Sequence, residues 1–346
     1  MHEEIKPPPY PQDLPSWHEL AVEDFQKPWL HYEPFLRSRG YILQSSPDFD
    51  SEATKDRFPT KPARDPFHPK DDEDFVHRID WDTHRASFNL PSPQMRAKVN
   101  AALDPHYRMV IIKAVHVESS EWRIISYLST GARRKDPRNH TIPLVEIIHA
   151  GEYVFIVQAC WDYSWGFPPF DSVKSRLDWA HQLLTVRGLC FMHELGISHG
   201  DVHSANVLWN HDGARPSSFL EDPCPKLHST FDARYAFIDF GAAVHSLDEA
   251  DRYTTPRTYP PEEYAAPEQI LEIPIDRFAA DIYNLGRVME KELYSALKQR
   301  HPVAHEMLAR AHKYAELIQT MVTELPKERP SVQEVLVALQ KIIEEV

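Results

Sequence analysis

Two short segments of the sequence end in side chains that could bind a metal ion and a phosphate. Asp201 and Asn206 stand five residues apart, and the apolar run Val207–Trp209 follows them directly. About thirty residues later a second apolar run, Ala236–Ile238, leads into the triplet Asp239–Gly241. Mg²⁺ prefers hard oxygen ligands and takes only one or two from the protein beside the phosphates of a substrate. The two segments therefore predict a site that holds Mg²⁺ and a phosphate group.

An ion pair between a strand and a helix is predicted upstream of these segments. The run Met109–Lys113 is β-branched and ends on a charge, which is typical of a strand. A serine-capped helix follows, on which Glu121 shares a face with apolar residues one and two turns later. Because a buried carboxylate needs a cationic partner, Lys113 is the nearest candidate. The alternative is a solvent-exposed glutamate and a surface lysine.

The chain before residue 75 reads differently from the rest. Residues 1–74 are rich in proline, which disfavours continuous helix or sheet. Aromatic residues between 17 and 41 are nevertheless too frequent for a purely disordered tail. We expect short helical pieces over 14–44 that pack on a neighbour, and a loop or linker over 45–74. Residues 7–11 are either a polyproline ligand for a partner protein or simply disordered.

From residue 75 the pattern is first strand-like and then helical. Strands are predicted at 75–79, 109–113, 142–148 and 153–157, and a helical stripe at 177–195. The proline-containing segment 209–234 is predicted to be a long, exposed connection. This order predicts an α+β fold with a boundary between two lobes near residue 160.

The composition limits the classes of partner and compartment. The formal net charge of −14 argues against nucleic acid or an anionic membrane as the main partner, because both attract basic surfaces. The three cysteines are an odd number without metal-type spacing, which favours free thiols over a disulfide framework. Neither a signal peptide nor an apolar run of membrane-spanning length is present, so we expect a cytoplasmic or nuclear protein.

Taken in order, these segments resemble the signature motifs of the eukaryotic protein kinase superfamily. The matching parts are Met109–Lys113, the helix with Glu121, His199–Asn206, Asp239–Gly241, Ala266–Glu268, Asp281–Gly286 and Arg329. The resemblance covers roughly 75–346 and implies a bilobal fold. A small N-terminal β-sheet lobe with one helix (75–160) would precede a larger, mainly helical C-terminal lobe (161–346), with 1–74 as an extension. Asp136–Thr141 further resembles a fungal group of protein-kinase-like proteins.

The resemblance implies a Ser/Thr-type protein kinase that uses ATP and Mg²⁺ and acts on a protein substrate. Asp201 would orient the attacking hydroxyl and take its proton late, while Asn206 and Asp239 would hold Mg²⁺. Lys113 would orient the α- and β-phosphates and pair with Glu121. The segment from Asp239 to Glu268 would be the activation segment, and Glu268 would pair with Arg329.

Two further groups of residues complete the implied site. The resemblance also implies nucleotide-binding residues on and directly after the strand predicted at 153–157, and the candidates are Val157 and Ala159. His203 stands where protein kinases carry a lysine near the transferred phosphate, and we place it in the catalytic set. His-Gly-Asp-x-His with a following asparagine is similar to the loop of aminoglycoside and choline kinases. A small-molecule kinase is therefore one alternative function.

Two other departures from the family pattern bear on activity and control. No glycine lies between Gly40 and Gly131, so the Gly-rich loop expected before Lys113 is missing. Glycine there permits close approach of the backbone to phosphates, and its absence favours a second alternative, an inactive pseudokinase that acts as a binding module. Gly200 replaces the arginine that normally receives an activation-segment phosphate. We therefore expect that the segment orders without phosphorylation at residues 254, 255 or 258.

Overall fold

The computed structural model of the 346-residue chain describes six main stretches. They are 6–48, 98–161, 170–210, 233–246, 252–298 and 312–346, with gaps at 18, 47, 107, 135, 137, 140, 143, 171, 186–187, 257–259 and 272. Residues 305 and 306 are also described. The strand predicted at 75–79, most of the loop predicted over 45–74 and most of the connection predicted over 209–234 lie outside the described residues.

The chain divides into two compact units. The first, the sheet unit, comprises Met1–Trp122, Ile142–Asp162 and Asn210–Pro225, as far as these are described. The second, the helical unit, comprises Arg123–Thr141, Tyr163–Trp209 and Lys226–Val346. The fold class is α+β, as predicted, and a five-stranded antiparallel sheet with a mainly helical second unit fits the expected bilobal kinase-like fold.

The sheet unit is built on five antiparallel strands in the order β1-β2-β3-β5-β4. The strands are β1 Ile42–Leu43, β2 Val99–Leu103, β3 Met109–His116, β4 Leu144–Ala150 and β5 Tyr153–Ala159. Gly151 lies in the turn between β4 and β5 with a φ of 66°, as a glycine at a tight turn should. The first strand comes from the segment before residue 45. The N-terminal segment is therefore part of this sheet.

A layer formed by the described residues between 6 and 41 covers one face of the sheet. It contains the 3-10 turn Val22–Asp24 and helix α1, Lys27–Ser38, so the helical pieces expected over 14–44 are present. Trp17 is buried against Tyr153 and Phe155 of β5, with ring centroids 5.0 and 5.9 Å apart. The aromatic residues of this segment are therefore buried against the chain's own sheet. We refer to this part as the N-terminal layer.

The helical unit contains six helices within its described residues. They are α3 Gly131–Arg134, α4 Val173–Leu184, α5 Leu189–Glu194, α6 Arg277–Lys298, α7 His312–Met321 and α8 Val332–Glu345. Helix α2, Ser120–Leu128, belongs to the sheet unit up to Trp122 and to the helical unit beyond it. The last helix, α8, buries a stripe of apolar side chains that comprises Val332, Val335, Leu339 and Ile342.

The single helix expected over 177–195 is instead two helices, α4 and α5. The chain is extended at Thr185, and a Cβ added to Gly188 would lie 2.2 Å from the carbonyl oxygen of Leu183. Only glycine permits this close approach of the backbone. The spacing of apolar residues does not reveal it, so the sequence pattern did not predict the break. In the described part of the chain, no helix is long and apolar enough to cross a membrane.

Three short antiparallel ladders join loops of the helical unit within its described residues. They are β6 Ile197–Ser198 with β9 Val244–His245, β7 Val207–Trp209 with β8 Tyr235–Phe237, and β10 Tyr253–Thr254 with β11 Ile275–Asp276. The second ladder joins the two predicted ligand-bearing segments, and the third contains part of the segment between Asp239 and Glu268.

Candidate functional site

The β7–β8 ladder brings the two predicted metal-binding segments to one end of the helical unit. Val207 is paired with Phe237, so the residues before β7 and after β8 lie at the same end of the ladder. The backbone N–H of Ile238 donates to the carbonyl oxygen of Asn206 at 3.0 Å. Asn206 and Asp239 are therefore held as near neighbours by backbone pairing, although thirty-two residues separate them in the sequence.

Asn206 is oriented by the aspartate five residues before it. Its Nδ2 atom donates to the carbonyl oxygen of Asp201 at 2.9 Å and to Oδ2 of the same residue at 3.0 Å. Because the amide nitrogen is engaged in this way, the amide oxygen of Asn206 is the atom that could bind a cation. The spacing noted in the sequence thus produces a bridged carboxylate–carboxamide pair.

Asp239 has an uncommon backbone conformation. Its φ is 65° and its ψ is 72°, in the left-handed region that L-residues other than asparagine and aspartate rarely enter. Gly241 follows it closely, and a Cβ added there would lie 3.3 Å from Oδ1 of Asp239. Strained conformations of this kind cost about 1 to 3 kcal/mol and cluster at functional sites.

The pKa of Asp201 depends on its burial and on the charged groups around it. Burial raises the pKa of Asp201, and the negative charge of Asp239 raises it further. His203, His199 and the hydrogen bond from Asn206 oppose this rise. Nε2 of His203 lies 3.7 Å from Oδ1 of Asp201. A divalent cation would favour the ionised carboxylates at this position, since it supplies the missing positive charge.

The donor set fits Mg²⁺ better than a metal bound by protein alone. Groups of three or more His, Cys, Asp or Glu side chains with metal-binding geometry are not found among the described residues. Asn206 and Asp239 offer one amide oxygen and one carboxylate, which suffices for Mg²⁺ when phosphates and water complete its octahedron.

Asp281 of α6 binds the backbone of the His199–Asn206 loop through hydrogen bonds. This carboxylate is fully buried and accepts hydrogen bonds from the backbone N–H groups of His199 and Gly200, both at 2.8 Å. It also accepts one from Nε2 of His193 at 3.0 Å. The resemblance of Asp281–Gly286 to a kinase motif singled out Asp281, whereas nothing in the sequence pointed to His193.

His199 links two loops of the helical unit through hydrogen bonds and a ring contact. Its Nε2 donates to the carbonyl oxygen of Ile238 at 3.0 Å, and its Nδ1 accepts from the backbone N–H of Asp201 at 3.3 Å. Its ring lies 5.3 Å from that of Phe240. The side chain therefore joins the loop to the Asp239–Gly241 triplet.

Glu268, at the end of the predicted activation segment, forms a buried ion pair with Arg329. Both carboxylate oxygens of Glu268 bind the guanidinium of Arg329, at 2.5 and 2.8 Å. Arg329 also donates to the carbonyl oxygens of Thr323, Glu324 and Ala279. The predicted pairing of Glu268 with Arg329 is confirmed.

The sheet unit contains the predicted ion pair of Lys113 and Glu121. Nζ of Lys113 on β3 lies 2.5 Å from Oε1 of Glu121 on α2, and both side chains are mostly buried. Ser119 caps the helix, because its Oγ accepts from the backbone N–H of Trp122 at 3.1 Å. The interior position inferred for Glu121 is confirmed, and the alternative of a solvent-exposed pair is wrong.

The side chains of Val157 and Ala159 do not share a face of the sheet with that of Lys113, and their binding of a nucleotide stays a prediction. Val157 is paired with Ile112 and is buried under the N-terminal layer. Ala159 is paired with Val110, which faces the same layer. Side chains alternate along a strand, so both point away from the face of Lys113.

The β5 residues on the face of Lys113 are Ile156 and Gln158, which are paired with Lys113 and Ile111. Which β5 side chains share the face of Lys113 depends on the pairing register of β3 with β5, which the sequence pattern alone does not give.

Comparison with known proteins gives a distant relationship. No family model matches the chain. The serine/threonine-protein kinase H1 homolog of Danio rerio is 25% identical to it over 181 residues. The alignment covers 51% of this chain and 38% of that relative, so the chain spans well under half the length of the curated relative. The similarity supports a protein-kinase-like relationship, in agreement with the motifs and the fold.

Proposed function

We propose that the protein is an ATP- and Mg²⁺-dependent phosphotransferase of protein-kinase type that transfers the γ-phosphate of ATP to a serine or threonine hydroxyl of a protein. The observation that carries the proposal is the cluster at the end of the β7–β8 ladder. There Asp201 is bridged to Asn206, and Asn206 is held beside Asp239 by backbone pairing. The similarity to a Ser/Thr kinase supports the same reaction class.

Each side chain of the cluster has one task in this reaction. Asp201 accepts a hydrogen bond from the attacking hydroxyl, orients it and takes its proton late. Asn206 and Asp239 would hold Mg²⁺ through oxygen atoms, and the ion would supply positive charge for the phosphates. In the sheet unit, Lys113 would bind phosphate oxygens and is oriented for this by Glu121. Such catalysis consists mainly of positioning and electrostatic stabilisation.

The test is phosphate transfer from ATP to a broad panel of protein substrates in the presence of Mg²⁺. Asp201→Asn and Asp239→Asn should each lower turnover at least about 100-fold, because each removes a group that acts in the transition state. Asp136→Asn is the matched control, since its carboxylate pairs with Arg138 away from this cluster. Circular dichroism should show that all variants are folded. Turnover unaffected by Asp201→Asn would contradict the proposal.

A binding module without catalysis is the second candidate, and the glycine-free stretch before Lys113 favours it. Thermal unfolding with and without Mg-ATP separates the two functions. Stabilisation together with turnover retires the binding-module function, whereas absence of turnover across the whole panel retires the kinase.

A small-molecule kinase is the third candidate, favoured by His203 and its position 3.7 Å from Asp201. Phosphate transfer to aminoglycosides or choline, with none to proteins, would select it. The resemblance of residues 136–141 to a fungal group of kinase-like proteins remains a prediction.

A further inference from the structure

Helices α7 and α8 leave an open groove between them on the surface of the helical unit. Its volume is about 580 Å³, and its exposed lining is mostly apolar. Leu317 of α7 and Ile342 of α8 line it as buried side chains, whereas Val337 of α8 is 57% exposed. Apolar surface bordered by polar residues is a common feature of protein interaction sites.

Val337 does not belong to the stripe of α8 that packs on the rest of the helical unit. The buried side chains of this helix are those of Val332, Val335, Leu339 and Ile342. One turn before and one turn after Val337, on the same side of the helix, stand the exposed polar residues Glu334 and Lys341. Val337 is therefore an apolar side chain in the middle of a row of charged ones.

The charges that border the groove reverse in sign along α8. Glu334 stands three residues before Val337, and Lys341 stands three residues after Ala338, which also lines the groove. Within the described residues, the ammonium of Lys341 has neither a hydrogen bond nor an ion pair. The carboxylate of Glu334 binds only the cap residue Ser331 of its own helix. Both charges are therefore available to a partner that occupies the groove.

We propose that this groove is an interaction surface for a second copy of the same chain. The two α8 helices lie antiparallel across a two-fold axis that passes between Val337 and Ala338. Glu334 of each copy then faces Lys341 of the other, and Val337 of each copy packs on Ala338 of the other. Every contact in a two-fold interface occurs twice, so the reversal of charge along one helix makes the surface complementary to itself.

The mixed charge of the border favours a second copy over a partner of a single charge sign. A uniformly acidic segment would face Glu334, and a uniformly basic one would face Lys341, and like charges in contact disfavour association. A second copy meets an opposite charge at both ends, and its α7 and α8 complete a four-helix interface. A contact of two helices per copy is small, so the association is weak and depends on concentration. The inference does not rest on the proposed phosphate transfer.

The test is sedimentation velocity of the full chain from about 2 to about 200 µM, a range suited to a weak interface. Salt at about 150 mM screens charges more than about 8 Å apart, and thus most of the repulsion between two copies of net charge −14. The sedimentation coefficient should rise with concentration. Val337→Glu should raise the dissociation constant at least about 10-fold, because it places charge in the apolar contact. Tyr294→Glu is the matched control, since Tyr294 is 68% exposed and lies outside the groove.

Exchanged charges test whether the occupant is a second copy. Glu334→Lys and Lys341→Glu should each self-associate less than the unsubstituted protein, because like charges then face each other at both ends. An equimolar mixture of the two variants should associate again, because opposite charges then meet at both ends. Failure of the mixture to associate would overturn the antiparallel arrangement.

Circular dichroism should show that all variants are folded, since Glu334→Lys also removes part of the helix cap. If that variant does not fold, the comparison of Val337→Glu with Tyr294→Glu decides. A chain that stays monomeric over the whole concentration range would overturn the proposal in favour of another occupant. Equal association of Val337→Glu and the unsubstituted protein would overturn the assignment of the contact to this groove.

Discussion

The core between the sheet and the N-terminal layer is apolar and contains many aromatic rings, whereas the His199–Asn206 loop of the helical unit is held by a buried carboxylate. In the sheet unit, Trp17 packs on Tyr153 and Phe155 through ring contacts. In the helical unit, Asp281 accepts three hydrogen bonds within the protein interior. The free energy gained from apolar packing is proportional to the buried area and changes little when side chains shift slightly. A buried carboxylate, in contrast, fixes the direction of each hydrogen-bond donor.

Among its described residues, the helical unit also has two buried ion pairs. Glu268 is paired with Arg329, and Glu292 of α6 is paired with Arg176 of α4. Pairs of this kind contribute little net stability compared with apolar packing, yet loss of one partner is costly. The core under the N-terminal layer is therefore stabilised mainly by the burial of apolar surface. The loops that carry the proposed catalytic residues are fixed instead by directional hydrogen bonds to buried charged groups. Four variants test this difference.

Asp281→Ala should have the largest effect on the helical unit. It leaves the backbone N–H groups of His199 and Gly200 and the Nε2 of His193 without their acceptor. Each unpaired buried donor costs about 1–3 kcal/mol, so we expect a loss of about 3–6 kcal/mol in the free energy of unfolding. Urea unfolding measures it, and amide exchange at His199 and Gly200 should accelerate. A loss under about 1 kcal/mol would show that Asp281 is not the anchor.

Trp17→Ala should cost the sheet unit about 3–5 kcal/mol, because it removes a large buried side chain and leaves a cavity. The loss should be the same at pH 5 and pH 8, since no charge is involved. Trp17→Phe is the matched control and should cost less, because a ring remains against Tyr153. A loss under about 1 kcal/mol for Trp17→Ala would contradict the assignment of the N-terminal layer to this core.

Glu292 should give the helical unit a pH-dependent stability. Burial raises the pKa of Glu292 to about 7, although Arg176 opposes the rise. The folded state then holds this proton more tightly than the unfolded state does. The stabilisation is complete below about pH 4.5 and is lost as the pH rises towards 7, by up to about 3 kcal/mol.

Urea unfolding between pH 4.5 and 7.5 should show this slope as the difference between the unsubstituted protein and Glu292→Gln. Glu290→Gln is the control, since Glu290 is partly exposed and paired with Arg287. If the free energy of unfolding depends on pH in the same way in the unsubstituted protein and in Glu292→Gln, the prediction that Glu292 makes the helical unit pH-sensitive is contradicted.

Gly200→Ala should have the smallest effect of the four, about 2 kcal/mol. It adds a side chain at a φ of 78° and a contact of 2.7 Å with the carbonyl oxygen of Ala242. Gly131→Ala is the matched control, because Gly131 also has a positive φ but no atom within 4 Å of an added Cβ. The difference between the two variants in thermal unfolding measures the crowding at Gly200. Equal losses would mean that only backbone strain matters there.

The sequence allowed the pairings of Lys113 with Glu121 and of Glu268 with Arg329 to be predicted. In both cases a charged residue stood in a family motif or on an apolar helix face, where burial demands a partner. The helix pattern did not predict the break between α4 and α5. That break depends on how closely the backbone at Gly188 approaches Leu183, which no side-chain period reports.

By itself the sequence determined the identity and order of the chemical groups. Asp201, Asn206, Asp239 and Lys113 stand in local motifs that can be recognised without knowing how the chain packs. Only the tertiary structure decided which groups meet. The pairing of β3 with β5 placed Val157 under the N-terminal layer, and the start of α6 placed Arg277 beside Gly200. The physical reason is that strand register and the approach of distant elements depend on contacts between residues far apart in the chain.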